Sequence, residues 1–149
     1  MDAQGPLDLI RLAGAAGNSV VVRVTGRSRT DYGEESGILL GEIAVRGDFV
    51  SGTLRTWIFP EDLTEWGEAL DAIEAGADDV SWREDQRETE LHIELEEDPG
   101  TAADRATVWV ADRANTLTAV ELTMDLPEGW LQDQRECLAA VRRRWPPVG

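Results

Sequence analysis

Lysine is missing from this 149-residue chain; all fourteen basic residues are arginine. That absence removes a P-loop lysine, a Schiff-base lysine and a lysine general base. Histidine occurs once, as His92, so no site can join two imidazoles and the H-E-x-x-H motif is excluded. Cysteine also occurs once, as Cys137, which excludes an intrachain disulfide and a thiolate cluster. No apolar run approaches the ~20 residues that cross a bilayer. Met1 to Gly17 has no basic start followed by a long apolar core. The expected compartment is the cytoplasm. The motifs G-x-G-x-x-G, G-x-S-x-G and G-x-x-x-x-G-K-[ST] are all lacking. With His92 as the only base available to any serine, a triad has little to draw on.

What the chain has in excess is negative charge. Thirty Asp and Glu against fourteen Arg leave −16 at pH 7. Residues 56–98 hold sixteen acids and only Arg83 and Arg87, a local balance of −14. The flanking segments 1–55 and 99–149 each carry seven acids and six arginines. Such a field repels nucleic-acid phosphates and anionic lipid while attracting cationic surfaces. The expectation is a basic protein partner, with no nucleic acid and no membrane. Asp78-Asp79, Glu84-Asp85 and Glu96-Glu97-Asp98 are acidic runs, but none has the D-x-D-x-D-G spacing. No metal and no cofactor is expected.

Length and a 42% hydrophobic content predict one domain over 1–149. From Phe49 to Phe59, the row Val50, Leu54, Ile58 alternates with Phe49, Trp57, Phe59, which predicts a central strand covered on both faces. Pro60 stops it and opens a helix, with Glu61 and Asp62 at the positive end of the dipole. Leu63, Trp66, Ala69, Leu70 and Ile73 share one helical face; Glu61, Glu65 and Glu68 lie opposite, and Gly76 closes the helix.

Upstream, Leu7–Leu12 reads as an edge strand, and Ser19–Thr25 and Ile38–Arg46 as two further strands. Between these two, Gly26–Gly37 is polar and aperiodic: a loop, either solvated or used for recognition. Downstream come strands Val80–Arg83, Thr89–Glu96, Arg105–Asp112 and Thr116–Leu126, then a helix from Glu128 to about Arg144. In Thr89–Glu96, Leu91, Ile93 and Leu95 face inward, and Glu90, His92 and Glu94 outward. The order ββ–ββ–α–ββ–ββ–α predicts an α+β fold, an antiparallel sheet of about seven or eight strands, able to curve, with two helices. Two four-strand-plus-helix halves are visible in outline.

The stretch FVSGTLRTWIFPEDLTEWGEALDAIEAG resembles an actinobacterial group of small acidic proteins without known function. The resemblance rests on F-V-x-G at Phe49, P-E-D-L at Pro60, W-G-E-A-L at Trp66 and R-R-x-W at Arg142. It extends to Leu9–Leu12 and Asn18–Val22 and so covers most of the chain. The strand-then-helix outline is also similar to that of some immunity proteins of polymorphic toxin systems. Neither likeness implies a catalytic residue.

Two readings of function follow. The leading one is a non-enzymatic binding protein, immunity- or regulator-like, whose acidic face docks a cationic protein through Glu61, Glu65 and Glu68, then Glu90 and Glu94. The other is a small-molecule carrier or small enzyme that uses a sheet face bearing Trp57 and Trp109, with Arg27, Arg29 and Tyr32 as polar anchors. A deep pocket holding His92 or an arginine pair would favour the second, and a convex sheet face would count against it.

Overall fold

The computed structural model describes residues 5–29, 35–83, 88–97, 104–113 and 116–147. Eight antiparallel strands and two helices follow the expected order. They are β1 Leu7–Ala13, β2 Ser19–Arg29, β3 Glu35–Arg46, β4 Ser51–Ile58, α1 Pro60–Glu74, β5 Asp79–Trp82, β6 Thr89–Glu97, β7 Asp104–Asp112, β8 Thr118–Leu126 and α2 Trp130–Arg144. The strands form two four-stranded sheets, β1-β2-β3-β4 (sheet A) and β5-β6-β7-β8 (sheet B), neither closed. Their inner faces share one core. Val20, Val22, Val24, Ile43 and Ile58 from sheet A meet Leu91, Ile93, Val108 and Leu126 from sheet B, with Trp66 and Leu70 of α1 and Val141 of α2. Each such aliphatic side chain contributes about 1.5–3 kcal/mol by leaving water.

Three local expectations change. The segment Phe49–Phe59 was expected to be central, but β4 is an edge strand and begins only at Ser51. Ladder pairing starts at Arg46 opposite Ser51, so Gly47–Val50 forms the turn and Phe49 is 97% exposed. The loop expected over 26–37 is largely strand: β2 runs on to Arg29 and β3 begins at Glu35, across register shifts between Val24 and Gly26 and between Arg27 and Arg29. Those irregularities hide the period-two signal. The second helix starts at Trp130 rather than Glu128, because Gly129 takes a left-handed φ of 85° and Pro127–Gly129 forms a turn.

The helices do not lie flat on a sheet. Each covers the first strand of the opposite half, α2 against β1 and α1 against β5. On β1 the fully buried Gln134 amide completes the edge, accepting from Arg11 N–H at 2.7 Å and donating to Arg11 C=O at 2.7 Å. On β5 the Glu65 carboxylate accepts from Arg83 N–H at 3.0 Å. An unpaired edge is an aggregation template, and two of the four edges are closed in this way.

Arg83 ties the two sheets together. It follows β5 with a φ of 64° and has no solvent exposure. Its guanidinium donates to Trp57 C=O at 2.7 Å, Thr56 Oγ1 at 2.8 Å and Thr89 C=O at 3.0 Å. It stands 3.5 Å from the buried Asp62 carboxylate and 4.4 Å over the Trp82 ring. Asp62 in turn accepts from Phe59 N–H at 2.9 Å, while Trp82 Nε1 donates to Asp62 C=O at 2.8 Å.

Two stability measurements test these closures. Gln134→Leu leaves Arg11 N–H and C=O unpaired and should lower unfolding free energy in urea by about 1–3 kcal/mol. Arg83→Met strands Asp62 as an uncompensated buried charge and should cost about 3–5 kcal/mol. Adding Asp62→Asn to that variant should recover part of the loss.

Candidate functional site

The outer face of sheet B is set by alternation along its strands. Leu91, Ile93 and Leu95 of β6 turn towards the core side, so Glu90, His92, Glu94 and Glu96 project the other way. Cross-strand register adds Asp79 and Ser81 from β5, Thr107, Trp109 and Ala111 from β7, and Ala119 and Glu121 from β8. His92 and Trp109 are direct partners, their rings 5.3 Å apart and tilted by 49°. Ala111 and Ala119 are also direct partners, and two small side chains side by side leave a hollow beside that aromatic ridge. Glu90, Arg113 and Ser81 complete the rim of this open groove of about 370 Å³.

Charge on this face is unbalanced. Glu90 is nearly buried and held by Arg113 at 2.6 Å, and Arg105 holds Asp125 at 3.1 Å. Asp79 stands directly opposite Glu94 in the ladder, both exposed. Among the described residues neither is bridged by an arginine, and His92 Nε2 lies 3.9 Å from Glu94 Oε2. Like charges directly opposed across a ladder are destabilising.

Ser81, His92 and Glu94 superficially match a nucleophile, base and carboxylate. Ser81 Oγ is 2.8 Å from His92 Nδ1. Backbone N–H groups of a ladder lie in the sheet plane, however, and do not converge above Ser81 to hold an oxyanion. The groove is open to water rather than a dry pocket. The three therefore act as a cross-strand polar cluster. Among the described residues, no group of three or more His, Cys, Asp or Glu side chains could hold a metal ion.

The five acids expected to form one docking face divide. Glu90 and Glu94 lie on the outer face of sheet B, whereas α1 packs at the β5 edge beside Trp82, whose partner Leu91 turns inward. On α1, Glu61 and Glu68 are exposed, but Glu65 is half-buried under Arg83. Farther along α1, Arg135 of α2 bridges Asp71 at 3.0 Å and Glu74 at 2.6 Å. Burial lifts the Asp62 carboxyl above its ordinary range, against the opposing pull of Phe59 N–H and Arg83. Burial lifts Glu65 likewise.

Trp57 and Trp109 do not share a face. Trp57, 48% exposed, lies on sheet A opposite Leu40, beside Arg55 and Glu42, while Trp109 lies on sheet B. Arg27 and Arg29 sit on the β2 extension, Arg27 donating to Pro146 C=O at 2.6 Å. Tyr32 lies outside the described residues. Asp79, Ala111 and Ala119 were missed: only the strand register, which alternation alone does not fix, brings the two alanines to the groove and Asp79 opposite Glu94.

The model of a family of unknown function, DUF5959, matches residues 7–146, and the chain belongs to that family. No curated protein matches the chain. Among solved structures it is similar to the plant transcriptional regulator PBF-2, at 10% sequence identity and a TM-score of 0.48, over 94% of this chain and 82% of that one. No helix among the described residues is long and apolar enough to cross a membrane.

The raised Asp62 and Glu65 carboxyls set a pH dependence. A folded-state value above the unfolded one means that the native state binds these protons more readily. Their contribution is therefore fully present below the ordinary carboxylate range, about pH 4, and is lost as pH climbs through the raised values. Unfolding free energy in urea should therefore rise as pH is lowered towards about 4. Glu65→Gln should flatten that rise.

Proposed function

We propose that this DUF5959 member is a non-enzymatic binding protein that docks a cationic protein on the outer face of sheet B. The observation that carries the reading is the like-charge pair Asp79 and Glu94, bridged by no arginine among the described residues, next to the His92–Trp109 ridge. A folded chain that retains a like-charge pair has an obvious gain from a positive group placed between them. An arginine or lysine reaching in would meet both carboxylates, and the half-buried Trp109 ring offers a cation–π surface beside them. The hollow at Ala111 and Ala119 lies on the other side of that ridge, where a neighbouring side chain of the partner would find room. Glu61 and Glu68, on α1, act at longer range by steering approach. Glu65 and Glu90 serve less as contacts, since Arg83 N–H and Arg113 already engage them. The role is immunity- or regulator-like: covering a basic surface of the partner. The compartment proposed for the encounter is the cytoplasm, where a buried thiol such as Cys137 stays reduced.

Anisotropy of a labelled arginine-rich peptide tests the reading. Affinity should fall steeply from about 50 to about 500 mM NaCl. The double variant Asp79→Asn, Glu94→Gln should lose about tenfold at low salt. The same variant should be as stable as the parent or gain about 0.2–1 kcal/mol, because the opposed charges are gone. Unchanged peptide affinity in a folded double variant would overturn the proposal.

A further inference from the structure

Thirty acids outnumber fourteen arginines, and several guanidinium groups among the described residues have a carboxylate within reach. Arg11, Arg23, Arg83, Arg105, Arg113 and Arg135 all have one. Arg27 and Arg142 are different. Arg27 reaches the C=O of Pro146, and Arg142 reaches only the C=O of Leu63 at 3.5 Å. Neither pairs with a carboxylate among the described residues, and each guanidinium has five N–H donors.

Both arginines line one pocket of about 260 Å³, where the β2 and β3 ends, the first turn of α1 and the tail beyond α2 meet. Its remaining wall is largely apolar: Leu39, Leu63, Pro60, Trp145 and Pro146. Two like charges in one recess repel, and no protein carboxylate among the described residues is bonded to either one to offset that. The site lies away from the outer face of sheet B and owes nothing to its acids.

We propose that this pocket binds a small amphipathic anion, one carboxylate or phosphate on an apolar body. The head group accepts N–H donors from Arg27 and Arg142, which suit planar, forked recognition of either anion. The body lies along Leu39, Leu63 and Trp145. At ~30 Å³ for each water-sized group the volume takes roughly eight or nine of them, the size of a medium-chain acid.

Isothermal titration of the full chain with octanoate, octyl phosphate, octanol and inorganic phosphate tests this. At least one octyl anion should bind saturably. Octanol and inorganic phosphate should each be at least about tenfold weaker, since each lacks one half of the recognition. The preferred octyl anion tells carboxylate from phosphate. Arg27→Gln and Arg142→Gln should each lower its affinity about tenfold, whereas Arg143→Gln, off the pocket wall, should leave it unchanged. Should Arg27→Gln fail to fold, the exposed Arg142 position carries the test alone. The proposal is overturned if octanol binds as tightly as the anions, if neither anion saturates by about 5 mM, or if folded Arg142→Gln binds like the parent.

Discussion

A single guanidinium with no exposure, that of Arg83, holds the end of β4, the start of α1 and the start of β6 in one arrangement. Its donors satisfy two backbone carbonyls and the Thr56 hydroxyl, which itself donates to Glu88 at 3.1 Å. Burial shifts Arg83 down and Asp62 up, both away from their charged forms and against their mutual attraction. Desolvation thus outweighs the pairing, as is common for buried ion pairs. What the node supplies is geometry rather than surplus stability. It fixes where β5 enters sheet B, and with that the register that puts Asp79 opposite Glu94 and Ser81 opposite His92.

Around this node the two halves of the molecule exchange helices. Each half consists of four strands and a helix, and each helix closes the first strand of the other half. The chemistry of closure differs in detail: an amide that both donates and accepts at β1, a carboxylate that accepts at β5. Both leave the outer faces of the sheets bare. A layout with the helices laid across the sheets would have covered Trp57 and Trp109. Packing at the edges instead leaves each half-exposed on its own face.

Much of this fold was legible because burial imposes period. The alternation in Leu91, Ile93 and Leu95 and the helical spacing of Trp66, Ala69 and Leu70 read correctly, since each depends only on one covered face. What failed depended on partners distant in the chain. Glu65 looks solvent-facing on a helical wheel, yet Arg83 N–H reaches it from eighteen residues away. Gln134 looks like a polar surface residue; it is buried because β1, 123 residues earlier, needs an edge partner. Glu90 alternates outward as expected, but Arg113 covers it. Phe49 was read into a strand because composition there cannot distinguish a turn from a ladder end. Charge counted along the chain misled in the same way.

Counted in space, the central acidity is partly offset by arginines from the balanced C-terminal third. Arg135 lands on Asp71 and Glu74, and Arg113 on Glu90. These exposed or rim pairs are individually weak, of the order of 0–1 kcal/mol, but they remove those carboxylates as free attractors. The charge left for a partner is accordingly smaller and more sharply placed than a segment balance of −14 suggests. At a Debye length of about 8 Å in physiological salt, the exposed acids of α1 cannot select a partner held on sheet B. They can only bring it closer. In the docking proposed above, selection would rest on what lies within contact distance: two opposed carboxylates and the indole face beside them. In the proposed docking, that combination would take one arginine or lysine inserted from the basic surface being covered. Residues of this kind, rather than overall acidity, are where a partner would be told apart from any other positive protein.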